Sequence, residues 1–147
     1  MSDPALCGII LCHFVIREQG TGACTFIRSF SGINPPQFPA NIAQFFAIPL
    51  LTNLDPKIDT FKVTIRVEDP NSGIVVANSG GELKFPPGFS RNDKMVFELP
   101  TPVGPFMVQN PGEYSVVVLV NTEGVGHRTL YIHAPLTTPQ IDLDKRE

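Results

Sequence analysis

From Phe61 to Glu68 the chain alternates apolar and polar residues without a break. Phe61, Val63, Ile65 and Val67 fall on one side, and Lys62, Thr64, Arg66 and Glu68 on the other. A period of two marks a strand with one face buried and one face wet. The stretch from Pro111 to Ala134 uses the same pattern twice. Pro111 and Gly112 punctuate a turn, a strand-favouring run leads from Tyr114 to Val120, and a second β-rich run returns after a polar, glycine-containing connection. β-branched and aromatic side chains pack well on a pleated surface, so this reads as a hairpin. Val116 to Val120 is apolar on both faces, which predicts an interior strand covered on two sides.

The rest of the chain supplies more short extended segments. Residues 6–16 form a first strand, residues 17–22 a polar turn, and residues 23–33 an antiparallel return strand. Pro35, Pro36 and Pro39 lack donors and fix φ, so residues 34–39 are an extended crossing segment. A single helical turn is expected over residues 40–44, then a strand over residues 45–52 in which Pro49 points to an edge position or a bulge. The turn of residues 69–73 joins the alternating strand to a short one at residues 74–77. Gly80-Gly81 implies a bend before another short strand over residues 80–85. Strands at residues 94–99 and a short apolar piece at residues 106–108 follow. Roughly eight to ten short strands with frequent turn signals define an all-β chain. The expected architecture is a two-sheet antiparallel β-sandwich, immunoglobulin-like. Residues 1–134 make one domain, and residues 135–147 a proline-containing charged tail, mobile or tied to a partner.

Composition narrows the function classes. The 147 residues carry a net charge of −3, with no basic excess of the kind a nucleic-acid surface needs. Only 17% of residues are charged and 42% are hydrophobic, which implies a dry surface and therefore self-association or another protein as partner. Residues 5–16 are mostly apolar but lack a basic leading segment and a small-residue cleavage site, and they are too short to span a bilayer. A cytoplasmic setting without membrane association is expected. Three cysteines, Cys7, Cys12 and Cys24, do not suit a disulfide framework.

Little in the chain suggests chemistry. His127 and His133 lie six apart in one strand, on one face but about 20 Å from each other, too far to share a metal. Cys12 and His13 are neighbours that point to opposite faces, so a nucleophile with its base is not assembled locally. Phosphate loops, dinucleotide fingerprints and serine elbows are absent from the sequence. No catalytic residue, metal or cofactor is therefore assigned, and the chain reads as a non-enzyme. Eleven phenylalanines and no tryptophan make a core composition. Tyr114, which follows Pro-Gly-Glu, has a structural reading beside Gly112: its hydroxyl ties to a nearby backbone group.

Several segments together resemble a known family. They are residues 11–18, the run Pro36-Gln37-Phe38-Pro39, Phe45-Phe46, Val67-Glu68-Asp69-Pro70 and Pro111-Gly112-Glu113-Tyr114. Over residues 5–134 the chain is similar to an uncharacterised bacterial family of small stand-alone proteins, a domain of unknown function. The resemblance implies a β-sandwich and a bacterial cytoplasmic setting, and no catalytic residues. Three functions follow for testing. The first is a non-catalytic protein-binding or assembly module, with Pro36, Phe38 and a sheet edge at Phe45 as its surface. The second is a small-molecule or carbohydrate-binding domain around Asn78, Arg91 and Tyr131. The third is an enzyme using Cys12, His13 or His133.

Overall fold

The computed structural model describes residues 3–135. The expected tail, 135–147, lies outside the described residues beyond Pro135. Among the described residues the chain forms strands, turns and loops and no helix. In chain order the strands are β1 (Ala5–Arg17), β2 (Cys24–Ser29), β3 (Gly32–Ile33), β4 (Ala40–Ile42), β5 (Phe45–Thr52) and β6 (Thr60–Glu68). They continue with β7 (Val75–Lys84), β8 (Phe97–Glu98), β9 (Thr101–Val103), β10 (Phe106–Val108), β11 (Gly112–Val120) and β12 (Glu123–Ile132). One sheet runs β2-β1-β5, and β8 and β9 share the far flank of β5. A second runs β3-β12-β11-β6-β7, and β4 pairs with β10 in a small third sheet. All pairings are antiparallel except β3 with β12.

The inward positions of β6, Phe61 to Val67 in steps of two, are all buried. They meet Tyr114, Val116, Val118 and Val120 of β11, Ile9 and Leu11 of β1, and Phe45, Ala47 and Leu51 of β5. Ala40 and Ile42 of β4 and Phe106 and Val108 of β10 complete a single cluster fed by all three sheets. Burial of apolar surface on this scale is the main force holding the sheets together.

Several expectations need correction. β5 is interior, flanked by β1 on one side and by β8 and β9 on the other. Pro49 stands opposite Ile9, and its carbonyl turns away from β1 to accept from Leu99 N at 3.3 Å. Its missing N–H therefore faces the break between β8 and β9, where no ladder bond is lost. Residues 40–42 are extended rather than helical, because alternation buries Ala40 and Ile42 against β10. The return strand over 23–33 is two strands. Arg28 adopts φ 57°, β2 ends at Ser29, and the chain crosses to pair with β12 as β3.

Gly80 and Gly81 do not end a strand: β7 runs through both. Leu99 packs 3.8 Å from where a Gly81 Cβ would stand, so the glycine admits a close neighbour. The strand expected at 94–99 reduces to Phe97–Glu98. The β11–β12 connection is a two-residue turn, with Asn121 at φ 49° and Thr122 at φ 76°, a geometry that matches the twist of a tight hairpin. Val117 and Leu119 are only half-buried, so β11 is interior within its sheet but open on its outer face.

Candidate functional site

β1 outlasts its neighbour. Its last pair with β5 is Cys12 with Phe46, and from there to Arg17 it pairs only with β2. The result is a two-stranded arm. Phe14 stands directly opposite Ile27, and Ile16 lies two residues further along the same face. These side chains are 55%, 36% and 55% exposed, respectively for Phe14, Ile27 and Ile16. Toward the root of the arm the same face carries Cys12 and, across on β5, Ile48. Both are fully buried, yet Ile48 lies outside the main core cluster. The tip residues Arg17, Gly22, Ala23 and Cys24 face Val96, Phe97 and Glu98 across a groove of ≈ 250 Å³. The sheet therefore curls, with this face on its inside and Phe14, Ile16 and Ile27 left open toward the rim.

The opposite face of the arm carries Phe26 and a second groove. Here β2 stops short of the root of β1. Phe30 N reaches Leu11 O at 2.9 Å, but the next carbonyl on that flank, Ile9 O, has no strand beside it. Arg128 of β12 fills the position, donating from Nη1 to Ile9 O at 2.7 Å and from Nη2 to Phe30 O at 3.5 Å. A side chain thus extends the ladder and joins the two larger sheets. Beside it lies a groove of ≈ 580 Å³ lined by Ile10, Leu11, Phe26, Ser29, Phe30, Ser31 and Arg128.

The residues singled out in the sequence do not form one site. Pro36 is exposed at a shallow groove of ≈ 220 Å³, where it meets Pro39 and the exposed Met107, while Phe38 is half-buried and packs against the core. Phe45 lies in the core, fully buried, and offers no edge or surface. Asn78 sits on the outer face of β7 opposite Arg66, and Tyr131 on β12 opposite Glu113. Three strand spacings, about 14 Å, separate their strands. Arg91 is elsewhere and committed. It donates to Leu54 O at 3.2 Å and to Ile58 O, and its guanidinium stacks 4.1 Å from the Phe85 ring centroid.

The histidines are also dispersed. His13 stacks on Phe30 and His133 on Tyr131. Among the described residues no three His, Cys, Asp or Glu side chains are grouped to hold a metal. Burial pushes the Cys12 thiol up from its ordinary value, and the thiol donates to Phe14 O at 3.4 Å. A thiol held protonated is a poor nucleophile.

Tyr114 donates its hydroxyl to Asn110 O at 2.6 Å, and Gly112 at the start of the strand has φ 155°. Burial first, and the negative charge of Asp69 second, push the Tyr114 hydroxyl above its ordinary pKa of 10.0. A raised value means that the unfolded chain ionises first. Stability is complete below that ordinary value and falls as pH rises from there toward the folded one. Tyr114→Phe is expected to cost about 1 kcal/mol at neutral pH and to flatten this alkaline decline. Urea melts across the alkaline range measure both effects, and an unchanged alkaline slope in the variant would refute the assignment.

Two features of the site escaped the sequence reading. Arg128 did leave a signal, since it shares strand parity with the buried Leu130 and Ile132. The exposed face of the arm left none, because Phe14 and Ile16 look like core residues in a one-dimensional pattern.

Fold and site together define a small all-β protein whose chemistry-bearing side chains are scattered rather than clustered. The chain belongs to the family of unknown function DUF6941, whose sequence model matches residues 8–133. No curated protein matches the chain. No helix of the described residues is long and apolar enough to cross a membrane.

Proposed function

We propose that this chain is a non-catalytic protein-binding or assembly module on an immunoglobulin-like β-sandwich, and that the curled β1–β2 arm is its contact surface. The observation that carries the reading is the exposed apolar face formed by Phe14, Ile16 and Ile27 on a hairpin held only at its root. Contiguous apolar surface of this kind is costly to leave in water and characteristic of interfaces. The first partner to test is a second copy of the chain, since low charge gives little electrostatic repulsion between copies. The reading places the protein in a bacterial cytoplasm, with no cofactor, nucleic acid or membrane in its role. A carbohydrate or small-molecule site at Asn78, Arg91 and Tyr131 gains no support from their separation.

The double variant Phe14→Asp/Ile16→Asp tests this reading. Light scattering of the wild-type protein is expected to show a mass that rises with concentration. The variant is expected to stay monomeric with stability changed by less than about 0.5 kcal/mol, because the replaced side chains are exposed. A wild-type protein that remains monomeric throughout, and a photo-crosslinker at position 14 that joins it to no protein, would overturn the proposal.

A further inference from the structure

Among the described residues Arg128 has no counter-ion. A guanidinium carries five N–H donors, and two of these go to the carbonyls of Ile9 and Phe30. Among the described residues no salt bridge joins a carboxylate to Arg128. The remaining donors border the larger groove. That groove's volume of ≈ 580 Å³ falls within the roughly 300–1,000 Å³ that small organic ligands occupy. Its lining is divided. Phe26 and Phe30, both half-buried, supply an apolar wall, while Ser29 and Ser31 also border the groove.

Each part of this lining restricts the ligand. A planar fork of donors matches the two oxygens of a carboxylate. A single positive charge balances a monoanion and leaves a phosphate dianion half-neutralised. The phenylalanine wall gains nothing from a hydrophilic body but removes an alkyl chain or ring from water. We propose that the groove binds a small monocarboxylate with an apolar body, anchored by Arg128 and packed against Phe26 and Phe30. This site is independent of the arm's exposed face, since Phe26 and Ile27 point to opposite sides of β2.

The test uses octanoate and phenylacetate as probes, with octanamide as the neutral match, in amide-proton NMR titrations of the wild-type protein. Saturable shifts are expected at residues 26–31 and 128, and for the Arg128 side-chain Nε–H. Octanamide is expected to bind at least about tenfold more weakly, the usual loss when a charge-assisted bond is removed. Arg128→Lys keeps the charge but not the fork and is expected to weaken octanoate by a similar factor. Phe26→Ala, which leaves the Arg128 tether intact, weakens it through lost apolar contact and covers the case in which the Arg128 variant fails to fold. Equal binding of octanoate and octanamide, shifts that map away from Arg128, or no saturation with either carboxylate would overturn the proposal.

Discussion

Phe45→Ala is expected to lower the unfolding free energy by about 3–5 kcal/mol, the usual loss for a phenylalanine removed from a core. Phe45 is fully buried and sits where all three sheets meet. Its ring packs edge-on to Phe30, with centroids 5.4 Å apart, and to Phe106 at 6.1 Å. Truncation removes the transfer energy, both ring contacts and the filling of the space between β5 and the β4–β10 pair. A domain of this size has a total stability of roughly 5–15 kcal/mol, so the variant approaches the point where unfolded chains become common. Urea denaturation with an unchanged slope measures the loss. A decrease below about 2 kcal/mol would show that Phe30 and Phe106 close over the cavity, contrary to a rigid three-sheet junction.

Arg91→Met is expected to cost about 2–3 kcal/mol and to loosen the loop between β5 and β6. Methionine keeps much of the stem packing, so the loss isolates the guanidinium. That group holds the carbonyls of Leu54 and Ile58 from one side and lies over Phe85, with Phe61 5.7 Å away. The ends of the loop are tied by Asn53 N to Asp93 O and by Phe85 N to Asp59 O, both at 2.8 Å, but its middle has otherwise only local bonds, Lys57 N to Asp55 Oδ1 at 3.0 Å and Ile58 N to Asp55 O at 3.1 Å. Hydrogen exchange should therefore quicken at Lys57 and Ile58 before it changes in β6. Unaltered exchange at those amides, with stability intact, would reduce Arg91 to a surface cation.

The legible parts of the fold were those specified locally. Alternation from Phe61 to Glu68 is its own proof of a half-buried strand, and β6 falls there. The β11–β12 hairpin was visible because two β-rich runs flank polar residues. Pro49 misled because the rule against proline in sheets is conditional. It forbids proline only where a partner's carbonyl waits, and the gap between β8 and β9 supplies none. That misreading also carried Phe45 from core to surface. Ala40–Ile42 was hidden because three residues are too few to show a period, and its partner Phe106–Val108 comes much later in the chain. Sequence parity assigned Phe14 and Ile16 to a strand, but their exposure depends on where β5 ends. Arg91 was placed in a candidate site by its residue type, whereas its partners are two carbonyls and two rings that no linear pattern brings together.

The connectivity of β5 also dictates an order of assembly. One flank is occupied by β1, from the start of the chain, and the other by residues 97–103. During synthesis the hairpins β1–β2 and β6–β7 have both partners early, whereas β5 waits with one apolar-rich edge bare until Val103 has left the ribosome. Distant pairings of this kind form slowly and leave a sticky edge in the interim. The middle of the first sheet is thus sealed well after the hairpin that begins it, and β6 waits longer still for β11.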